Sequence, residues 1–395
     1  MANRTDYHGD DAWEGFVNRS RDLPTPHLLV NLDIVRDNHR KLGENFPFAR
    51  IYYAVKANPA TQVIRLIDRL GSCFDIASIH ELDRVLEQGV DPGRVSFGNT
   101  IKKASDIALA WSKGVRMFAT DCLSDLENIA RHAPGSKVYV RILVDGSDTA
   151  DWPLSRKFGC HPDKAVQLHV KAVELGLDPY GISFHVGSQQ RDISQWMSAI
   201  WKVRDVFDEL AAKGIRLRMI NMGGGFPARY CGKTPPLSVY AFRIRGYLEH
   251  AFGVGSIPEI ILEPGRSMVA ESGILASEVI MVARKNVDDP HRWAYIDAGK
   301  FNGLIETLDE SIKYPIVAGS SPEQESEVEP FILAGPTCDS MDVLYEKQPY
   351  SLPRGLASGD RLYWLSTGAY TTSYASVEFN GFPPIPAHFF GEEIA

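Results

Sequence analysis

The chain has 395 residues, long enough for two domains or for one large barrel with an appended unit, each with its own core. Hydrophobic residues make up 44% and charged residues 23%, close to soluble globular averages, which argues against a disordered chain and against a membrane protein. A net charge of -8 argues against a nucleic-acid surface, because an acidic balance repels phosphate backbones.

Residues 1–21 are polar, carry Asp6, Asp10, Asp11 and Glu14, and contain no apolar run. They read as neither a signal peptide nor a membrane anchor, so a cytoplasmic location is expected. Cys73, Cys122, Cys160, Cys231 and Cys338 are odd in number and include no CxxC pair. That fits free thiols in a reducing compartment better than disulfides or zinc, and no metal site is expected. The next segment, His27-Leu28-Leu29-Val30, is strand-like.

Eight apolar runs follow, over 51–55, 73–77, 94–98, 117–119, 137–144, 180–186, 217–222 and 259–262. Between the first two, Val63, Ile64, Ile67 and Leu70 fall on one helical face, and Leu82, Val85 and Leu86 do so after the second. Continuous apolar strands alternating with amphipathic helices indicate a parallel sheet covered on both faces. Eight units predict a closed (β/α)8 barrel. After Gly273 the rhythm changes to strands without helices, over 274–282, 293–296, 330–333 and 361–365. They are separated by Asp288-Asp289-Pro290, by the polar stretch 319–329 and by similar turns. A second, mainly antiparallel β-domain is predicted over 269–395, with 34–268 as the barrel and 1–33 contributing to the β-domain.

Active sites of such barrels lie at the C-terminal ends of the strands. Lys56 directly follows the first run, Asp75 ends the second, Arg141 lies in the fifth and His185 ends the sixth. Gly223-Gly224-Gly225 follows the seventh and Glu263-Pro264-Gly265-Arg266 the eighth. Taken singly, each has a plain structural explanation: an exposed lysine at a strand end, a satisfied core histidine, a tight glycine turn. Together they sort to one end of the barrel. A lysine at the rim of a core is partly desolvated, which lowers its pKa and frees the amine for a Schiff base. The glycine run exposes backbone N–H groups that suit a phosphate, and Arg266 can pair with one bidentately. Glu263 can hold a protonated ring nitrogen. These are the aldehyde, phosphate and pyridine-nitrogen anchors of pyridoxal phosphate.

The chain resembles the fold-type III pyridoxal-phosphate decarboxylases, and among them most nearly the bacterial ornithine decarboxylases of the ornithine/lysine/arginine class. The matching segments are Tyr53-Ala54-Val55-Lys56-Ala57-Asn58-Pro59, Phe74-Asp75-Ile76-Ala77-Ser78, Lys157-Phe158-Gly159 and Phe184-His185-Val186-Gly187-Ser188. They continue with the glycine run through Pro227, Glu263 to Arg266, Gly335-Pro336-Thr337-Cys338-Asp339-Ser340-Met341-Asp342, and Gly368-Ala369-Tyr370. The resemblance implies that Lys56 carries the cofactor, Glu263 faces its ring nitrogen and His185 stacks on its ring. It implies that Ser188, Gly224, Gly225, Arg266 and Tyr370 hold the phosphate, and that Asp75 and Arg141 lie beside the cofactor. It also implies a head-to-tail homodimer with shared active sites, in which the Cys338 segment enters the partner's barrel and Cys338 protonates the α-carbon. Lys157 and Asp342 resemble a pair that ties the subunits together.

For the substrate, a basic side chain needs an acidic group at its far end. Asp339 is the first candidate and Asp309 the second, with Glu306 and Glu310 read as solvating the segment 299–310. The expected reaction is decarboxylation of L-ornithine to putrescine, with L-lysine to cadaverine as the alternative. An alanine-racemase-like enzyme would place an arginine at the ring nitrogen, against Glu263. A non-catalytic, inhibitor-sequestering relative should have lost Lys56, Cys338 or the phosphate ligands, all of which are present.

Overall fold

The computed structural model describes residues 4–145, 149–153, 157–319 and 327–391, so positions 320–326 of the polar stretch and 1–3 of the N-terminal segment lie outside the described residues. The chain divides into two compact units. One comprises Arg36–Pro227 and Thr234–Gly265, the other Met1–Val35, Ala228–Lys233 and Arg266–Ala395. The first strand, β1 (His27–Asn31), belongs to the second unit.

The first unit is the predicted barrel. Its strands are β2 (Ala49–Ala54), β3 (Cys73–Ile76), β4 (Val95–Phe97), β5 (Met117–Thr120), β6 (Lys137–Arg141), β7 (Asp178–Ser183), β8 (Met219–Asn221) and β9 (Glu259–Leu262). All pair in parallel, and the barrel closes where Ala49, Arg50 and Ile51 meet Ile260, Ile261 and Leu262. Helices cover the outside with most of the expected faces, although Leu70 and Leu86 are only half-buried. Helix Thr61–Arg69 buries Val63, Ile64, Leu66 and Ile67. Helix Ile79–Leu86 is capped by Ser78, whose Oγ accepts from the Glu81 N–H at 3.2 Å, while Glu81 accepts from the Ala77 N–H at 2.7 Å. That reciprocal cap fixes the loop just beyond β3. Tyr52, Met117, Tyr139, Tyr180, Met219 and Ile261 belong to one buried cluster, as inward side chains of alternating strand positions do in a filled barrel.

Several strands stop short of their apolar runs. The run at 137–144 ends its ladder at Arg141 and the run at 180–186 at Ser183. Phe184 and Val186 are nonetheless 1% and 0% exposed. Hydrophobicity reports burial, and the loops at this rim are buried beyond the regular ladder, with single main-chain bonds such as Phe184 N–H to Asn221 O at 3.0 Å.

The second unit is the β-domain. It contains β1, β10 (Gly273–Ala283), β11 (Arg292–Ile296), β12 (Ile316–Ala318), β13 (Val328–Ala334), β14 (Val343–Leu344), β15 (Tyr350–Pro353), β16 (Arg361–Leu365) and β17 (Ala387–Phe390). The long β10 pairs antiparallel with β1, β11 and β16. Two pairs are parallel, β1 with β17 and β11 with β13. The four strands without a counterpart in the sequence reading, β12, β14, β15 and β17, have two to four residues each, too few for a periodic signal.

The polar N-terminal stretch also holds a helix, Asp10–Ser20, which buries Trp13 and Phe16. These two pack with Leu29, Ile274, Ala276, Tyr363 and Leu365. An i, i+3 pair is enough to dock a helix without an apolar run. Phe16 is 1% exposed, so Phe16→Ala is expected to cost about 3–5 kcal/mol and lower the urea midpoint. An unchanged midpoint would show that the helix adds nothing to this core. Among the described residues no helix is long and apolar enough to cross a membrane.

Candidate active site

A cavity of about 210 Å³ is lined by Lys56, Asp75, Tyr139, Arg141, His185 and Glu263 among others. These residues sit at or just beyond strand C-termini, so the cavity occupies the catalytic end of the barrel. Tyr139 also belongs to the core cluster, and its hydroxyl bonds Ser96 Oγ at 2.8 Å, so it closes the cavity on the core side.

Lys56 departs from the sequence expectation in one respect. The sequence reading places it partly desolvated at the rim of the core, whereas it lies two residues beyond the strand end and is exposed. Strand β2 ends at Ala54, and Lys56 is the middle residue of the single 3-10 turn Val55–Ala57. Val55 and Ala57 are buried while Lys56 is exposed, which lets its side chain line the cavity. The turn is held because the Ala54 N–H donates to Pro264 O at 3.1 Å.

Asp75 is 5% exposed, and its Oδ1 has no hydrogen-bond partner among the described residues. A methyl group on Gly98 would lie 2.0 Å from that oxygen, so a larger residue there would have to displace the Asp75 carboxylate. Burial first, and the charge of Glu263 second, push the Asp75 carboxyl well above the usual range, against the opposing pull of Lys56. His185 is held neutral. Burial and the positive charges of Arg141 and Lys56 push its pKa well below the ordinary histidine value. Its Nδ1 accepts from the Gly187 N–H at 3.0 Å, which leaves the ring proton on Nε2. The Arg141 guanidinium lies 4.9 Å from the centre of the Phe158 ring.

The glycine turn has no room for side chains. Gly223 and Gly225 adopt φ of +63° and +91°, and added methyl groups would lie 2.7 Å from Phe184 O and 2.5 Å from Gly187 O. At Gly224 a methyl would lie 2.6 Å from Glu263 O. The turn is tied down by the Glu263 N–H donating to Gly223 O at 2.8 Å and the Gln190 N–H donating to Gly225 O at 2.9 Å. Ser188 exchanges two main-chain bonds with Trp152, at 3.1 and 3.2 Å. Asn221, which the sequence reading passed over, donates from Nδ2 to Glu263 Oε1. Its only sequence signal is an amide between an apolar run and the glycines.

The remaining candidates lie in the β-domain. Arg266 and Tyr370 come together there, the guanidinium 4.9 Å from the centre of the Tyr370 ring. Arg266 is also clamped by Glu306, with NH1 donating to Oε2 at 2.6 Å and NH2 to Oε1. This corrects the reading of Glu306 as a solvating residue. Its carboxylate is 4% exposed because it carries the counter-charge of a buried arginine, as a buried charge requires. Glu310 accepts from the Lys347 N–H at 2.5 Å. Asp309 is exposed, at φ +52°, where the short helical segment Ile305–Glu310 kinks.

Cys338 and Asp339 are both exposed. Asn380, also absent from the sequence reading, brackets Cys338. It accepts from the Cys338 N–H at 3.0 Å and donates to Sγ at 3.2 Å. Asp339 accepts from the Met341 N–H at 2.8 Å. Asp342, expected to face another subunit, is 2% exposed. Its oxygens accept from the Lys300 N–H at 2.7 Å and the Thr337 hydroxyl at 2.7 Å. Gly299 and Gly335 leave it the space to do so, and it serves as a loop clamp within its own chain. Lys157 lies 5.0 Å from the centre of the Phe158 ring.

The barrel residues fit pyridoxal phosphate. An amine and a carboxylate line one cavity, an unpartnered buried oxygen stands among them, and a glycine turn without room for any Cβ lies alongside. Comparison with known proteins agrees. Residues 32–270 match the family described as pyridoxal-dependent decarboxylase, pyridoxal binding domain. The lysine/ornithine decarboxylase of Selenomonas ruminantium is 32% identical over 374 residues, 94% of this chain and 91% of that protein. The ornithine decarboxylase of Saccharomyces cerevisiae is 34% identical over 379 residues, 90% of this chain and 78% of that protein. The crystal structure of lysine/ornithine decarboxylase complexed with cadaverine from Vibrio vulnificus matches with a TM-score of 0.86 at 28% identity, covering 97% of this chain and all 100% of that one. The chain therefore belongs to the fold-type III pyridoxal-dependent decarboxylases that act on basic amino acids, and pyridoxal phosphate is its cofactor.

Proposed function

We propose that the protein decarboxylates L-ornithine to putrescine, with L-lysine to cadaverine as the second reading, and that it works in the cytoplasm as a homodimer with shared sites. The observation that carries the decarboxylase chemistry is the single cavity lined by Lys56, Asp75, Arg141, His185 and Glu263. Pyridoxal phosphate, when bound, supplies the sink for the electron pair left behind by carbon dioxide. Lys56 offers its amine for the aldehyde. Glu263 holds the proton on the ring nitrogen, because a carboxylate there favours the charged ring. His185, being neutral, would stack on the ring without adding charge. Asp75 and Arg141 flank Lys56 and the ring. Ser188, Gly224 and Gly225 would receive the phosphate; the family resemblance also assigns Arg266 and Tyr370 to it, and the charge of Arg266 is already balanced by Glu306.

In this reading Cys338 delivers the proton to the α-carbon. Asp339, next to it in the chain and held by Met341, takes the terminal ammonium of the substrate. With Glu306 engaged by Arg266, the choice among the carboxylates of its segment narrows, and Asp309 stands second to Asp339. The free cysteines accord with a reducing compartment.

Competition among ornithine, lysine, arginine and diaminopimelate, with carbon dioxide and the amine both quantified, tests the substrate. Ornithine should lead, with lysine within about 10–200-fold, since one methylene discriminates no more than that. Preference for diaminopimelate or arginine would overturn the assignment. Shared sites have their own test. Mixing inactive Lys56→Ala with inactive Cys338→Ala should restore roughly a quarter of wild-type activity, because half of the randomly exchanged dimers hold one intact site of two. No recovery after demonstrated subunit exchange would contradict the dimer.

A further inference from the structure

Asn221 is the last residue of β8 and is 1% exposed. The parallel ladder there is made by main-chain groups, so its side chain is not needed to close the barrel. That side chain makes two bonds in opposite senses. Oδ1 accepts from the Gly223 N–H at 2.9 Å, and Nδ2 donates to Glu263 Oε1. A backbone N–H can only donate, so Gly223 dictates which way the amide is turned, and the NH2 group is left facing the carboxylate. The Glu263 N–H in turn donates to Gly223 O at 2.8 Å, which closes a ring of hydrogen bonds through residues 221, 223 and 263.

No other small side chain meets both demands. Aspartate would still accept from Gly223 but would set a second negative oxygen against Glu263. Serine can keep an acceptor near Gly223 but is too short to span to the carboxylate as well. Leucine would leave a buried N–H unpaired, which is costly. The turn cannot relax to compensate, because Gly223 has φ of +63° and a Cβ there would meet Phe184 O.

We infer that Asn221 is a positioning residue that fixes the Glu263 carboxylate relative to the glycine turn, so that one buried amide sets both the ring-nitrogen contact and the start of the phosphate cradle. The inference rests on the reading of Glu263 as the partner of the ring nitrogen.

The test uses full-length apoprotein titrated with 4′-deoxypyridoxine 5′-phosphate, which has the ring and phosphate but no aldehyde, so attachment to Lys56 plays no part. Binding is followed by tryptophan fluorescence over about pH 6 to 9, where ring and phosphate protonation change. Asn221→Asp should weaken binding by about 10-fold or more and alter its pH dependence, because the added carboxylate must share a proton with Glu263 or repel it. Asn221→Ser, which removes the donor without adding charge, should weaken binding by about 3-fold or more and leave the shape of the pH profile nearer to wild type. Wild-type affinity and pH dependence in Asn221→Asp, alongside an altered Glu263→Gln, would refute the inference and leave the role of Glu263 standing. If Glu263→Gln also behaves as wild type, the role of Glu263 fails and the inference falls with it. Should Asn221→Asp not fold, Asn221→Ser decides, and unchanged binding in it overturns the proposal.

Discussion

Lys56→Ala is expected to lower decarboxylation by ~10^4-fold or more and to leave no cofactor covalently bound after borohydride treatment. The size follows from what the side chain does. Among the described residues it is the one lysine that lines the cavity, placed there by a 3-10 turn whose flanking residues are buried. The contrast is Lys102, which is also near the strand ends. Its Nζ is fully buried and donates to Asn99 O, Ala119 O and Asp125 at 3.0, 2.7 and 2.9 Å. An ammonium held by three acceptors is a structural ion pair and a poor nucleophile. Cofactor trapped by borohydride in the Lys56→Ala protein, or turnover near the wild-type rate, would move the attachment point elsewhere.

Glu263→Gln should reduce kcat by ~10^2–10^3-fold, the scale of losing one preorganised electrostatic contact. Glutamine is nearly isosteric and its amide oxygen can still accept from Asn221 Nδ2. It then offers an NH2 group toward the cavity, which cannot hold a proton on the ring nitrogen. A second consequence is specific to this site. The negative charge of Glu263 helps to raise the Asp75 carboxyl, after burial itself. Removing that charge makes Asp75 ionise at lower pH, so any acid limb of the pH–rate profile that belongs to Asp75 should move to lower pH in the variant. A kcat within a few-fold of wild type would take Glu263 out of the electron-sink argument.

Much of the site was legible in the chain because barrel chemistry is local to strand ends. Lys56, Asp75, Arg141, His185 and Glu263 each sit at or within a few residues of an apolar run, and closing eight such runs into a cylinder brings them to one rim. The shape of the glycine turn was legible for a similar reason, since a residue without Cβ is the local answer to a crowded backbone. Strand ends were not, because a buried loop beyond the ladder and a buried strand have the same composition, as Phe184 and Val186 show.

What the sequence by itself determined is the barrel, its catalytic rim and the kinds of groups standing there, all of which depend on residues near one another in the chain. What only the tertiary structure decided is the partner of each group. Glu306 became the counter-charge of Arg266, 40 residues away, and Asn221 the donor to Glu263, 42 residues away. Asn380 came to bracket Cys338 and Asp342 to clamp its own loops. A hydrogen bond or ion pair is specified by which strands and turns become neighbours, and that adjacency is a property of the closed fold that no local pattern encodes.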